Sequence, residues 1–245
     1  MFLFNSRRII KTILFFAGMI AFSCSASVTI MGSRIIYPSD AATVDVRLKN
    51  NDPFPYIIQA WFDDGNIDSG PDIKGIVPFI VTPPLFRIQP DSGQIVRVVF
   101  DGSMQLPQDR ESVFWFNTLQ IPPKNIEGDN QKNKMLITLR SRIKIFYRPV
   151  SLGVPGKNLE NVKISGTKGG VLIENPTAWF ISYSSAKIQI NGEQYDLNHD
   201  MIPPFSKLEF RFKDRKVTPG GKTLLMLTYI NDQGARISRE HEVIY

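Results

Sequence analysis

The segment from Met135 to Val150, MLITLRSRIKIFYRPV, alternates apolar with basic residues and ends beside a proline. This period of two is typical of a pleated strand with two unlike faces. The apolar set is Met135, Ile137, Leu139, Ile143 and Ile145, and the polar set is Thr138, Arg140, Arg142 and Lys144. One face suits an apolar groove, and the other can hold an anion. Taken alone, the segment also fits an ordinary half-buried strand of an all-β domain.

The first 26 residues have the pattern of a secretory signal peptide. An apolar run spans residues 9–22. Arg7 and Arg8 precede it, Lys11 lies near its start, and small residues follow it. We expect cleavage after Ala26 and no membrane insertion of the mature chain, because no later stretch approaches about 20 apolar residues. A lipoprotein acylated at Cys24 is the alternative, but the three residues before Cys24 fit that cleavage signal poorly.

Removal of residues 1–26 would leave 219 residues, enough for two domains of about 100 residues or one large sandwich. It would also remove the only cysteine, so each domain must be held by its own apolar core. Three bases and no acid are lost, and the formal charge falls from +6 to +3. This mild excess gives little reason to expect nucleic-acid binding.

Short β-rich segments separated by turn clusters follow the predicted signal peptide. The predicted strands are 28–36, 43–49, 56–62, 79–82, 94–100, 112–120 and 135–147. Clusters such as Asn50-Asn51-Asp52-Pro53 and Gln89-Pro90-Asp91-Ser92-Gly93 supply the turns. Seven strands without an intervening helix predict an antiparallel immunoglobulin-like sandwich.

A breaker-rich passage at residues 149–156 predicts a domain boundary after Pro149. The predicted domains are therefore residues 27–149 and residues 150–245. In the second domain the predicted strands are 162–165, 170–174, 178–190, 207–213, 223–231 and 236–243. The whole mature chain is predicted to be all-β.

Few residues support a catalytic role. The two histidines lack a metal-ligand spacing, and the chain has neither a mature cysteine nor a G-x-S-x-G motif. Asp63 with Asp64, or Asp214 with Glu209, could form an acid pair, but a carboxylate in a loop or turn, such as Asp63 after the predicted strand 56–62, is usually only solvated. No helix follows Gly220-Gly221, so no phosphate cradle is predicted. We expect no enzyme activity, no metal and no cofactor.

Three charged residues stand at positions where two domains can meet. Arg148 lies at the predicted boundary, and Glu111 and Asp232 lie in the first and second domains. An arginine at a junction can pair two carboxylates and set an interdomain angle. By spacing alone, the favoured interpretation is that all three are surface charges that contribute little.

Several motifs together resemble the signature of the periplasmic chaperones of the chaperone-usher pilus pathway. The main ones are LPQDRESVFWFN at residues 106–117, IPP at 121–123 and RIKIFYRP at 142–149. Supporting matches are Ser33-Arg34, Gln59-Ala60-Trp61, Thr82-Pro83-Pro84, Ile173-Glu174-Asn175-Pro176-Thr177 and Tyr229-Ile230-Asn231-Asp232. The matches cover the whole mature chain in order.

The resemblance implies two immunoglobulin-like domains in a boomerang arrangement, with the ligand held in the cleft and along the last strand of the first domain. It also implies residue roles. Arg34 and Lys144 match the anchor for a subunit's terminal carboxylate, Met135, Ile137 and Leu139 match the donor strand, and Glu111, Arg148 and Asp232 match an interdomain ionic cluster.

The implied function is that of a periplasmic chaperone in fimbrium biogenesis. Such a chaperone binds and stabilises pilus subunits by donor-strand complementation and delivers them to the outer-membrane usher. The connection from Pro123 to Met135 lacks a long insertion and a cysteine pair. This implies the short-loop subfamily, which serves rod-like pili.

The main alternative is a secreted immunoglobulin-like binding or adhesion module that recognises a carbohydrate or protein through its loops. Such a module would not need Arg34 together with Lys144, nor an apolar alternation bordered by bases. The sequence leaves open whether the free chain covers its own strand by forming a dimer.

Overall fold

The computed structural model describes residues 27–72, 75–124, 137–214, 217, 220 and 222–245. Two β sandwiches in sequence make up this part of the chain, which confirms the predicted all-β class. The predicted signal peptide and Met135 lie outside the described residues. Within the described part, no helix has the length and apolar character needed to span a bilayer.

The described residues of the first sandwich form nine strands in two sheets. They are β1 (Val28–Ile30), β2 (Arg34–Pro38), β3 (Val44–Asn50), β4 (Tyr56–Asp63), β5 (Phe79–Thr82), β6 (Leu85–Ile88), β7 (Gly93–Phe100), β8 (Ser112–Ile121) and β9 (Leu139–Arg148). One sheet has the order β1-β3-β7-β5, and the other has the order β2-β9-β8-β4-β6. Every neighbouring pair is antiparallel except β2 with β9, which is parallel.

Alternating apolar residues from both sheets form the core of the first sandwich. Ile58, Val98, Phe116 and Ile145 are fully buried there. Because successive side chains of a strand point to opposite faces, the residues between them lie on the outward faces of the two sheets.

The predicted strand at residues 28–36 is wrong as a single element. It is divided into β1 and β2, which belong to different sheets. The chain bends between them at Gly32, whose φ of 116° is readily adopted only by glycine. The bend lets one short segment serve both sheets. The edge strand β6, which lies between two proline turns, was not predicted from the sequence.

Two short 3₁₀ helices, Val150–Leu152 and Gly156–Glu160, connect the sandwiches. In the second sandwich, the part of the chain that the structure describes forms eight strands: β10 (Lys163–Thr167), β11 (Gly170–Asn175), β12 (Ile181–Ile190), β13 (Glu193–Asp196), β14 (Met201–Ile202), β15 (Ser206–Arg211), β16 (Lys222–Ile230) and β17 (Arg236–Ile244). The prediction missed β13 and β14. Both are short strands that pair with β12, β13 at its C-terminal end and β14 at its N-terminal end.

The sheets of the second sandwich enclose a separate core. One sheet has the order β10-β11-β15, and the other has the order β13-β12-β16-β17 with β14 also paired to β12. Ile173, Ile188, Phe210 and Leu225 are almost fully buried between them. Each sandwich therefore has its own apolar core.

Candidate functional site

The strand β9 has one edge that is only partly covered. It pairs with β8 from Leu139 to Tyr147, but with β2 only from Lys144 to Arg148. Within the described residues, no strand pairs with Leu139–Ile143 on the β2 side. Unpaired backbone groups at such an edge can form a ladder with a further strand. We call Leu139–Ile143 the free edge.

The apolar face of β9 continues beyond the core at this free edge. Ile145 and Tyr147 are buried in the core, and Ile143 packs against it. Leu139 and Ile137 share their parity but are 51% and 68% exposed. Of the three predicted donor residues, Leu139 is the first residue of β9 at the free edge, and Ile137 lies two residues before it. The third, Met135, is not among the described residues.

Arg34 and Lys144 are direct register partners on the parallel strands β2 and β9. Such partners point to the same face of a sheet, and neighbouring strands are about 4.8 Å apart. Arg34 Nη1 donates a hydrogen bond to the carbonyl oxygen of Ile230 in the second sandwich, 2.9 Å away. Its guanidinium carbon lies 5.7 Å from the ring centre of Phe146. The two predicted anchor residues are thus side by side at the junction of the sandwiches.

The electrostatics of this pair favour an anion. Burial lowers the pKa of Lys144, as does repulsion by Arg34 and Arg142, although Asp200 opposes the shift. Burial also lowers the pKa of Arg34. Arg34 Nε is buried and has no hydrogen-bond partner, and no salt bridge joins either cation to a carboxylate in the described part of the chain. A carboxylate placed between them would restore the missing interactions.

The structure also brings Glu111, Arg148 and Asp232 together across the junction. Arg148 Nε donates to Glu111 Oε1 at 2.7 Å, and its two terminal nitrogens donate to the Asp232 carboxylate at 2.7 and 2.9 Å. Glu111 Oε2 accepts a hydrogen bond from the amide of Phe180 at 2.8 Å. Burial opposes the charge of Arg148, but the bonds to Asp232 and Glu111 outweigh this and raise its pKa. The bidentate geometry fixes both distance and orientation.

One prediction about the acids is wrong. Asp63 was assigned to a turn as a solvated carboxylate, but it ends β4 and its side chain is fully buried on the outward face. Arg140 and Arg142 of β9 both bind it. β9 carries four bases of this parity: Arg140 and Arg142 share Asp63, and Arg148 pairs with Glu111 and Asp232. In the described part of the chain, Lys144 is the one of the four that forms no salt bridge. The sequence signal for a buried acidic partner was the pair of arginines at alternate positions of a predicted strand that also carries a lysine.

Comparison with known families gives two matches. Residues 27–153 match the family described as "Pili and flagellar-assembly chaperone, PapD N-terminal domain". Residues 157–241 match "Pili assembly chaperone PapD, C-terminal domain".

Individual proteins are also similar to this chain. Chaperone protein HifB of Haemophilus influenzae is 39% identical over 236 residues, which is 95% of each chain. The probable fimbrial chaperone YadV of Escherichia coli K12 is 40% identical over 212 residues, covering 83% of this chain and 85% of YadV. A crystal structure of the YadV chaperone superimposes with a TM-score of 0.75 and 34% identity over 89% of this chain and 100% of that one.

Proposed function

Because this chain belongs to the family of PapD pili-assembly chaperones, we propose that it binds fimbrial subunits in the periplasm by donor-strand complementation and delivers them to an outer-membrane usher. A chaperone role in pilus assembly follows from the family itself. We propose the mode of subunit binding, the residues that bind the subunit and the periplasm as the place where the chaperone acts.

One observation carries the proposal: a free strand edge and exposed apolar side chains lie along β9 and lead to the cation pair that Lys144 of β9 forms with Arg34 of β2. Leu139–Ile143 offers unpaired backbone, and Ile137 and Leu139 offer apolar surface next to it. Lys144 follows immediately, beside Arg34. A partner that supplies an extended backbone, an apolar groove and a terminal carboxylate would satisfy all three.

A pilus subunit that lacks the last strand of its own sandwich has these properties. Its open groove and unpaired edges would otherwise favour aggregation. In the proposed complex, β9 adds to the subunit's sheet by main-chain hydrogen bonds, which are independent of side-chain identity. Ile137 and Leu139, together with Met135 from the sequence pattern, enter the groove and set the register.

The position of the anchor gives the bound strand a direction. A carboxylate at Lys144 is the C-terminus of the partner, and the residues before it extend toward Ile137. The partner strand therefore runs in the same direction as β9. Lys144 is seven positions beyond Ile137 in the sequence, which corresponds to about 23 Å at roughly 3.3 Å per residue in an extended strand.

The ionic cluster of Glu111, Arg148 and Asp232 is proposed to hold the two sandwiches at a fixed angle. The anchor pair lies at the same junction, because Arg34 contacts Ile230 and Arg148 contacts Asp232. A change in the angle would move the second sandwich relative to the bound carboxylate. The cluster thus serves the anchor as well as the stability of the junction. In this proposal residues 1–26 direct export and are removed.

Coexpression tests the proposed function. A fimbrial subunit encoded in the same genome is produced in the periplasm alone, with this chain, or with its Lys144→Ala variant. We expect soluble subunit and a copurifying complex only with the wild-type chain. Absence of both effects would contradict the chaperone function and would favour the alternative of a binding or adhesion module.

A further inference from the structure

The buried carboxylate of Asp63 lies at the centre of a polar cluster on the outward face of the five-stranded sheet. Its oxygens accept hydrogen bonds from Asn117 Nδ2 at 2.7 Å, from the amide of Gly65 at 2.8 Å and from Ser69 Oγ at 3.0 Å. Arg142 donates to both oxygens, with Nε at 3.2 Å from Oδ2. Every lone-pair direction of this carboxylate is used by a donor of the chain itself.

Arg140 joins the same cluster through several hydrogen bonds. Its Nε and Nη2 donate to Asn117 Oδ1 at 3.0 and 2.8 Å, and its Nη1 donates to the carbonyl oxygen of Ile67 at 2.7 Å. Its Nη2 also lies 3.4 Å from Asp63 Oδ2 and 3.1 Å from Ser69 Oγ. The side chain is 27% exposed, so the charge is largely withdrawn from water.

Two tryptophan rings pack against the guanidinium groups of this cluster. The guanidinium of Arg140 lies 5.1 Å from the ring of Trp61, and that of Arg142 lies 4.7 Å from the ring of Trp115. Both distances are within the range of cation–π attraction. The aromatic rings restrict the arginines from the sides while Asp63 holds their ends. Arg140 and Arg142 are therefore fixed in position, and with them the backbone of β9 that carries them.

Both arginines belong to the free edge, Leu139–Ile143. Among the described residues, this segment has a strand neighbour on the β8 side only, whereas Lys144–Tyr147 has neighbours on both sides. The cluster lies on the outward face, while Leu139, of opposite parity, and Ile137, just before the strand, remain exposed. It can thus hold the segment in strand conformation without blocking its apolar surface.

We propose that Asp63 is a positioning residue for subunit binding, which holds Arg140 and Arg142 and thereby keeps the free edge extended before a partner arrives. The inference rests on the proposed function. A segment that is already ordered loses less conformational freedom when it binds, and this favours both affinity and the rate of association. Replacement of Asp63 would leave two partly buried arginines without their common counterion.

Amide hydrogen exchange of the free mature chain tests the positioning role without any partner. In Asp63→Asn, which keeps the size of the side chain, we expect the protected amides of residues 139–143 to exchange at least about a hundredfold faster. The core strands β3 and β7 should keep their protection. The matched control is Asp45→Asn, since Asp45 forms an exposed pair with Arg97 on the other sheet. Unchanged exchange in β9, or an equal loss of protection in β3 and β7, would overturn the proposal.

Association kinetics test whether the ordered edge serves binding. A fimbrial subunit from the same genome is diluted from denaturant onto the immobilised chain. We expect Asp63→Asn to weaken its capture at least about fivefold, mainly through slower association, and Asp45→Asn to leave it unchanged. Equal rates for Asp63→Asn and wild type would overturn the role in binding. Failure of the wild type itself to capture the subunit would contradict the proposed function, while the exchange measurement would still decide the positioning role.

A second variant covers the case in which Asp63→Asn does not fold. Arg140→Gln leaves the pair of Arg142 with Asp63 in place and removes only the more exposed of the two cations. We expect the same localised loss of protection, reduced to about tenfold. An unchanged exchange pattern in this variant would count against the proposal in the same way.

Discussion

Arg34 and Lys144 lie directly opposite each other on the parallel strands β2 and β9, with both side chains on the outward face of the sheet. Two cations at neighbouring positions repel each other, and both are partly withdrawn from water. Asp232 and Glu111 partly offset this for Arg34, and Asp200 does so for Lys144, and a bound anion would stabilise the pair further. The parallel pairing of β2 with β9 is what creates it, because the two residues are far apart in the sequence.

Lys144→Ala is expected to abolish capture of fimbrial subunits and to change the free energy of unfolding by less than about 1 kcal/mol. The lysine has no salt-bridge partner in the described part of the chain, so its loss leaves no carboxylate unpaired. Copurification and thermal melting measure the two effects. Arg47→Ala, which removes an exposed cation from β3, is the control. Normal capture by Lys144→Ala would remove this residue from the site.

Leu139→Asp is expected to weaken subunit binding at least tenfold, or about 1.4 kcal/mol, because it places a charge in an apolar groove. Its melting temperature should stay near the wild-type value, since Leu139 is half exposed. Ile80→Asp is a matched control, because Ile80 is also 51% exposed but lies on β5 of the other sheet. Equal affinity in both variants would show that the register of the donor strand is wrong. Ile137→Asp should behave like Leu139→Asp.

Arg148→Ala is expected to destabilise the chain by about 3 kcal/mol or more, because Glu111 and Asp232 would be left at the junction without their shared cation. Small-angle scattering should show a wider distribution of interdomain distances, and urea unfolding should show the loss of stability. Arg239→Ala removes an exposed arginine that pairs with Glu160, and it should cost less than about 1 kcal/mol. Scattering and unfolding curves like those of wild type would mean that the cluster does not fix the angle.

Asp63→Asn is expected to differ from wild type most at neutral pH and least in acid. Burial by itself would raise the pKa of Asp63, but hydrogen bonds from Arg142, Asn117, Gly65 and Ser69 outweigh it, and the pKa is lowered. A carboxyl whose folded pKa lies below its unfolded value of about 3.9 stabilises the fold above that value. The contribution is lost as the pH falls through the folded pKa.

Urea unfolding of wild type and Asp63→Asn between about pH 2.5 and 7 measures this dependence. The difference in unfolding free energy should be constant above about pH 5 and should shrink below about pH 4. A difference that does not depend on pH would mean that the charge of Asp63 contributes nothing to stability.

The alternation of Met135–Val150 was sufficient to predict a strand and to separate its two faces. The turn clusters were sufficient to predict an all-β chain, because glycine, proline and asparagine act on their immediate neighbours. The family resemblance placed residues such as Arg34 and Lys144 in a common site, and membership of that family is confirmed.

The environment of Asp63 could not be predicted in this way. Its position after a strand and before Asp64-Gly65 is typical of a solvated turn acid. Its partners Asn117, Arg140 and Arg142 are 54 to 79 residues away in the chain. Burial of a carboxylate depends on whether donors are brought to it, and local sequence carries no information about donors on other strands.

The period of two in β9 was determined by the sequence alone, since it follows from backbone geometry that applies to any strand. Which part of that strand is paired was decided by the tertiary structure. The division of β1 from β2 at Gly32 brings Arg34 opposite Lys144 and ends the pairing there. Hydrogen-bond partners in a sheet come from distant segments, so the free edge at Leu139–Ile143 exists only once the whole sandwich has formed.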